Sequence, residues 1–558
     1  MDRNFANDNL VEVYRAFDAR CATQLDKVYC KRRYELSVFV PSPDALKTEE
    51  RELERLLQEA SALPAPDPVF SLLKTHFDEF LKTQMSALRR LSESPNSFVG
   101  NLSNVIGYMT RKDSRPAEER AKILLTRLGH ADELWSGVKT LLPTATKEKL
   151  YLLVDACDGL KLVADSIKAE VPQAYAGLPQ ASLDEITRAL GRVSEKAAAW
   201  RQETLALLES REKGSDTAVS STRKETEQDA VDRYRSILSE ELGISLDELL
   251  SWYEDEVSKT RSEIFETARR INLGAIPEPR TIEDVVYLLN TYEGPCDTPD
   301  EMFARMRNYL KRAQEAAREY VRLPEESCRV VPTPENLRGH YPWGGYGGGC
   351  PRRRPLMGEV FLNDHNYKAI TDGWIKMNAV HECYPGHHVQ WVRTVLDPLP
   401  ETVKVGARSV PTLEGAAHRS ERLTEHIFPE DPFYPLFVSY RRHHTSVRIK
   451  ADLTLFYFRR PVDEAVDLYV KELGFDRNTA RGQVKSQQIT PGYFTCYYYG
   501  LKRLTDLQAK FGYDDKAFTE IIFSLPHVSL ATLEKFLALS ESDKKRFLTG
   551  FPSLVTYD

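Results

Sequence analysis

The stretch NAVHECYPGHHVQWV, Asn378 to Val392, holds three histidines and a glutamate within eight residues, interrupted by Pro385 and Gly386. His381 and Glu382 reproduce the start of H-E-x-x-H, where the first histidine binds zinc and the adjacent glutamate takes a proton from the metal-activated water. The second ligand of that motif sits one turn later, at i+4, and here that position is Pro385. Proline has no N–H for the carbonyl of His381, and its ring crowds that carbonyl, so the helix must bulge or break. Two looped-out residues would bring His387 into the missing ligand's place. His388 is the rival: in an unbroken helix it lies on the face of His381, but roughly 10 Å along the axis. The spacing favours His387 and leaves His388 open, and histidines in a plain turn are the bland alternative.

A catalytic zinc commonly takes three protein ligands and leaves the fourth position to water. The third must come from elsewhere. TLEGAAHRSERLTEHIF, residues 412–428, offers Glu414, His418, Glu421 and Glu425 at i, i+4, i+7 and i+11, one face of a helix. A solvated acidic face is the competing reading of this pattern. Glu414 follows His381 by 33 residues, a separation compatible with a neighbouring antiparallel helix.

The remainder of the chain sets the frame. Its 558 residues, 41% hydrophobic and 28% charged, describe globular material for two to four domains. A net charge of -7 is modest for this length and gives no footprint for nucleic acid. Short basic runs such as Arg352–Arg354 read as solvated surface. No segment reaches the ~18 uninterrupted apolar residues of a membrane span. The N-terminus lacks the basic-then-apolar layout of a signal peptide. The eight cysteines are dispersed, with no C-x-x-C, so reduced thiols in a cytoplasmic protein are expected.

Helical signals dominate. Residues 45–92 and 115–210 are long charged-apolar stretches, and the polar run 211–229 reads as a linker or a charged helix start. This gives an N-terminal helical lobe over 1–210 and a metal-binding lobe over 230–558, with one continuous helical architecture as the alternative. Leu246, Leu249, Leu250 and Tyr253 recur at helical spacing. Thr298, Pro299 and Glu301 spell a cap, a first-turn proline and a capping box, ahead of a core stripe of Met302, Met306, Tyr309, Leu310, Ala313 and Ala317. YPWGGYGGGCPRRRP, 341–355, is too glycine-rich for a helix and reads as a loop. It lacks the G-K-[ST] of a phosphate loop. LMGEVFLND, 356–364, has the short apolar character of a strand that lines a cleft with that loop.

HECYPGHHVQ, His381 to Gln390, resembles the H-E-x-x-P-G-H-H-x-Q motif of the domain-of-unknown-function 885 family, which is assigned to gluzincin-type zinc metallopeptidases. EGAAHRSERL, Glu414 to Leu423, is similar to that family's EGWALYAERL. The resemblance implies that Glu414 is the third metal ligand and that Glu421 supports the site from behind. SVRIKADLTLF, 446–456, resembles AVRLVVDTGLH and keeps Arg448 and Asp452. SQQITPGYFTCYYYG, 486–500, resembles RYxxxPGQALSYKIG and keeps Pro491, Gly492, Tyr497 and Gly500. RPLMGEVFLND resembles RPGxFYVNT and places Asn363 beside the site. The likeness runs in order from about residue 230 to 510. It implies a mainly α, metallopeptidase-like fold, with helices around a deep central cleft and a small β element at its edge.

The sequence departs from the family around the metal set. Ala416, His418 and Arg419 replace Trp, Leu and Tyr. Phe456 replaces the histidine that ends the third motif, and Ser486-Gln487 replaces Arg-Tyr. An unusual substrate is therefore expected. The reading is a zinc-dependent hydrolase, with another divalent ion open, that cleaves a peptide or other amide with Glu382 as base. Tyr497 is the candidate oxyanion donor. Arg448 either binds a substrate carboxylate or pairs with Asp452 four residues on, the pair being preferred. The partner is a small peptide or amide-bearing small molecule, with neither nucleic acid nor membrane. The alternatives are a hydrolase or lyase of specialised metabolism on the same metal, and a non-catalytic protein with a structural metal.

Overall fold

Prolines and short polar caps divide the N-terminal half into helices. The computed structural model describes residues 5–212, 226–271, 276–338, 341–423 and 425–555. Helices occupy Phe5–Tyr29, Pro43–Ala62, Pro68–Ser92, Pro95–Arg111, Ala117–Gly129, Ala131–Leu141, Lys147–Ala174 and Gln180–Glu212. Ser42, Asp67 and Thr146 cap their helices by accepting from first-turn N–H groups, and Pro43 and Pro68 follow immediately, where a missing N–H costs nothing. Of the expected linker, residues 213–225 lie outside the described residues. Thr226 opens the next helix, Glu227–Ser236, with a reciprocal capping box to Asp229.

The N-terminal helices are fastened to the far end of the chain. Phe551 packs edge-on to Phe70 at 5.4 Å and lies 6.3 Å from Tyr14. Glu79 accepts hydrogen bonds from Ser529 and Thr532. Buried Asp18 accepts from the backbone N–H groups of Glu401 and Thr402, at 2.6 and 2.9 Å, and from the Thr402 hydroxyl. A carboxylate from one helix thus caps the first turn of another, Glu401–Val405.

The C-terminal half builds the scaffold of the histidine cluster. Thr298 caps the helix Pro299–Ala317 by accepting from the Glu301 N–H at 3.2 Å. The expected capping box does not close, because Glu301 accepts from Asp297 N–H instead, one residue before the cap. Met302, Met306, Leu310, Ala313 and Ala317 are buried as the stripe requires, whereas Tyr309 is half-buried and donates to Asp372. A three-stranded sheet follows: β1 (Glu326–Pro332), β2 (Gly344–Gly347) and β3 (Leu356–Leu362). β3 is central, parallel to β1 and antiparallel to β2.

One sequence expectation is corrected here, and one strand, β1, was not foreseen. The glycine-rich stretch is not wholly loop, since Gly344–Gly347 pairs with Glu359–Leu362. Glycine's entropy cost disfavours a helix but does not forbid an extended edge strand, and absent side chains are needed there: a Cβ on Gly345 would meet the Phe361 ring at 2.9 Å.

The fold is mainly α, with this small mixed sheet against the helices. Among the described residues, no helix is long and apolar enough to cross a membrane. Replacing Asp18 with alanine leaves the first two N–H groups of the Glu401–Val405 helix without their acceptor in a buried setting. Urea unfolding should show a loss of about 2–3 kcal/mol, and a variant as stable as the parent would refute the role of Asp18 as a clamp.

Candidate metal centre

The helix that carries His381 ends as the proline demands. Asp372–Asn378 is α-helical, and Ala379–Cys383 widens into a π-turn in which Tyr384 N–H reaches back five residues to Ala379 O. Tyr384 is extended, and a new helix, His387–Leu396, starts directly after Gly386. Gly386 is needed for space rather than for its torsions. A Cβ there would lie 2.0 Å from the carbonyl oxygen of His381 and 2.3 Å from that of Val380. The break folds the second helix back against the end of the first, and the rings of His381 and His387 meet edge-to-face with centroids 5.0 Å apart.

Glu414 comes from the helix Val410–Leu423. That helix crosses Thr495–Phe511 at two glycines: a Cβ on Gly415 would strike the Gly500 backbone at 2.4 Å, and one on Gly500 would strike Pro411 O at 1.9 Å. Close backbone approach therefore sets Glu414 beside Tyr493, in the turn that leads into the second helix. Tyr493 donates to Glu414 Oε1 at 2.7 Å. Glu414 Oε2 lies 3.4 Å from Nε2 of both His381 and His387. It is buried and accepts no hydrogen bond.

The outer nitrogens of the two imidazoles are held. His381 Nδ1 donates to Glu421 Oε1 at 2.8 Å, and His387 Nδ1 donates to Gln390 Oε1 at 2.8 Å. The Gln390 amide in turn donates to the carbonyl of Leu413, the residue before Glu414. With Nδ1 carrying the proton on each ring, both Nε2 lone pairs face the same carboxylate oxygen. That arrangement repels unless a positive charge sits between the three atoms. Burial opposes a charge on His381, but Glu414 and Glu421 outweigh it and hold the imidazole up at about 10. Burial likewise works against the Glu414 carboxylate, and the two histidines nonetheless keep it well below the usual range.

A divalent cation meets the same demand. The donor atoms of His381, His387 and Glu414 lie within 4.8 Å of one another. A tetrahedral centre with bonds of about 2.1 Å has ligand–ligand edges of about 3.4 Å, and two edges of this triangle are 3.4 Å. Two imidazoles and one carboxylate are a donor set suited to zinc, with the fourth position left to water.

Glu382 is half-exposed between buried His381 and Cys383, and its carboxylate has no hydrogen-bond or ion-pair partner among the described residues. Glu421 is shared: its second oxygen accepts from His418 Nδ1 at 2.9 Å, and Arg441 Nε approaches its first at 3.9 Å. Burial works against the Glu421 charge, and His418 with His381 still hold its carboxyl well below the usual range. Tyr497 stacks on His381, centroids 6.0 Å apart, and its hydroxyl lies a long 3.5 Å from that of Tyr493. Burial and the Glu414 charge both push the Tyr497 phenol far up, so it keeps its proton.

The remaining expected residues stand apart from the donor triangle. His388 is fully buried, with Nε2 on Glu326 of β1 and Nδ1 3.0 Å from the Tyr346 hydroxyl of β2. It pins the second helix to the sheet. Asn363 donates to the carbonyls of Arg338 and Tyr341, fixing the loop that enters β2. The preferred Arg448–Asp452 pair is not formed. Arg448 lies over the rings of Phe494 and Tyr497 and donates to Gln483, while Asp452 accepts from Gln487, Gly492 N–H and Thr495. Spacing at i+4 permits a pair, but residues 483–495, from other elements, partner each group instead. Sequence reasoning missed Tyr493, Gln390 and Arg441. Gln390 was legible, three residues after His387 on one helix face, whereas Tyr493 was hidden among neighbouring tyrosines.

A cavity of about 2700 Å³ opens nearby, lined in part by Trp343, Trp374, Gln483 and Tyr493. The donor triangle is not in its wall, but Tyr493, hydrogen-bonded to Glu414, is.

Fold and site together define a mainly helical protein with a His-His-Glu cluster in which His381 and Glu414 are buried and His387 is partly exposed. Residues 26–537 match the family described as bacterial protein of unknown function (DUF885), and the chain belongs to that family. No curated protein matches it. Solved structures share the fold, among them these two. One, described as a putative lipoprotein from Colwellia psychrerythraea, superposes with a TM-score of 0.76 at 16% identity, covering 97% of this chain and 99% of its own. The other, a putative lipoprotein of unknown function from Shewanella oneidensis, gives 0.70 at 14% identity, covering 94% and 100%.

Burial raises the Asp452 carboxyl from 3.8 to about 7, against the hydrogen bonds it accepts. An unfolded chain releases this proton near its ordinary value, while the folded chain keeps it to about 7. The group therefore erodes stability as pH rises through that window. Asp452→Asn should flatten this part of the pH–stability curve in thermal unfolding. An unchanged slope would mean that Asp452 titrates normally.

Proposed function

We propose that the protein is a metal-dependent hydrolase of the metallopeptidase type, cleaving a peptide or other amide bond. The observation that carries this reading is the orphaned Glu414 Oε2, buried 3.4 Å from two imidazole Nε2 atoms whose far nitrogens are already engaged. His381, His387 and Glu414 would hold the ion. Bound there, zinc or a similar divalent ion would supply Lewis acidity, making water acidic and polarising a carbonyl.

The chain's own groups do the rest. Glu382, the unpartnered carboxylate next to the first ligand, takes a proton from the attacking water and hands it to the departing nitrogen. The water oxygen bonds to the carbonyl carbon, the carbon–nitrogen bond breaks, and a carboxylic acid and an amine leave. Tyr497, kept protonated and weakly engaged, donates to the oxyanion as charge develops. Glu421 and Gln390 hold the two imidazoles in the required tautomer and orientation. The nearby cavity receives the substrate. A small amide of specialised metabolism is the second reading, favoured by His418, which enters the site as a Glu421 partner where the resembled family carries an apolar residue. A purely structural metal would leave the free carboxylate of Glu382 without a role.

The eight cysteines are dispersed along the chain with no C-x-x-C, which favours reduced thiols in the cytoplasm. The description of the two structural relatives as lipoproteins favours the cell envelope instead, and fractionation of expressing cells separates the two.

Elemental analysis and activity on a panel of peptides and small amides test the function. Glu382→Gln is expected to retain stoichiometric metal while turnover falls at least about a thousandfold. Full activity in that variant would remove Glu382 as the base. His387→Ala should lose the metal, whereas His388→Ala should keep it and lose stability. The reverse result would reassign the ligand.

A further inference from the structure

Two buried arginines stand next to the donor triangle with few partners. Arg441 and Arg448 are 4% and 3% exposed. Arg448 donates one hydrogen bond, to Gln483 at 3.2 Å, and its Nε has no partner. Arg441 has neither Nε nor Nη1 hydrogen-bonded, and its nearest carboxylate oxygen, on Glu421, is 3.9 Å away and already accepts from His381. Both guanidiniums lie over the Tyr497 ring, at 5.5 and 5.3 Å, and that ring stacks on His381. Burying a guanidinium without a counter-charge costs several kcal/mol, so such groups are normally paired.

The cavity extends to the residues against which they pack. Gln483, which holds Arg448, and Trp374, which Arg441 overlies at 5.2 Å, both line it. The two cations therefore sit behind its wall, beside the cluster that would hold the metal. A planar anion is what two guanidiniums with free N–H groups recognise best, because a carboxylate can accept from both forks.

Resting on the hydrolase reading above, we propose that Arg441 and Arg448 bind a free carboxylate of the substrate. The substrate class is then an amide whose amine portion ends in a carboxylate close to the scissile bond: the C-terminal bond of a short peptide, or an N-acyl amino acid. Arg448 is the principal anchor, since Glu421 partly offsets Arg441. Gln483 keeps Arg448 in place until the anion arrives.

Two measurements separate this inference from the hydrolase reading. In the first, the zinc-loaded chain is given an N-acylated dipeptide with a free C-terminal carboxylate, and the same dipeptide as its amide. The acid should be cleaved with a kcat/KM on the order of a hundredfold higher. Arg448→Gln should bring that ratio close to one, mainly through KM, and Arg448→Lys should restore part of it. Equal rates for acid and amide in the parent, or an unchanged ratio in Arg448→Gln, overturn the assignment and leave hydrolysis standing. The second measurement needs no turnover: zinc-loaded Glu382→Gln protein is titrated with succinate and with succinamide by calorimetry. Binding of succinate alone, lost in the additional Arg448→Gln variant, supports the carboxylate site even if no amide is cleaved. No binding, or chloride binding equally well, overturns it.

Discussion

Glu414 Oε2 has two imidazole nitrogens 3.4 Å away and no hydrogen-bond donor, and much of the C-terminal half is arranged around it. An uncompensated buried carboxylate costs several kcal/mol. The neighbours that orient it all fix atoms, and on the reading proposed above a cation between the donors would supply the central charge. Tyr493 holds the other oxygen, Gln390 ties His387 to the backbone at Leu413, and Glu421 ties His381 to His418. Gln390 lies on His387–Leu396, Glu421 on Val410–Leu423 and Tyr493 just before Thr495–Phe511, so the cluster forms only when these elements are packed.

That packing depends on three glycines that have no side chain to give way. Gly415 and Gly500 let two helix backbones touch, which sets Glu414 against Tyr493 and near Tyr497. Gly386 lets the chain turn back over the last carbonyls of the His381 helix, so a histidine six residues on in sequence becomes a neighbour in space. Alanine at any of the three would force backbones apart, and the donor atoms with them. Stability around the site is therefore linked to its chemistry through backbone contact rather than through the hydrophobic core alone.

The sheet works from the other side. His388, next to a candidate ligand in the chain, points into β1 and β2 and is consumed by Glu326 and Tyr346. Gly358 of β3 leaves room for that contact, since a Cβ there would lie 2.4 Å from the Tyr346 hydroxyl. Adjacent histidines on one helix start thus divide the labour, His387 facing the donor cluster and His388 anchoring the helix. The arginines form a further layer, in which Arg441 and Arg448 place positive charge behind Tyr497 without a dedicated counter-ion.

Much of this was legible in local spacing. His381, the broken helix at Pro385 and the acidic face with Glu414 and Glu421 follow from helix periodicity and from proline's missing N–H, which act within a few residues. The cap at Thr298 follows from the same short-range chemistry. Spacing could not say which partner each polar group takes. Arg448 and Asp452 stand at the right interval and ignore each other, because Gln483, Gln487, Gly492 and Thr495 arrive from two other helices and the turn between them. It could not choose between His387 and His388, nor find β1, Tyr493 or Arg441. The sequence by itself determined where the chain bends and which residues can carry charge or donate a lone pair. The tertiary structure decided which of them meet, because hydrogen-bond partners and buried charges are chosen by distances between elements that local torsions do not set.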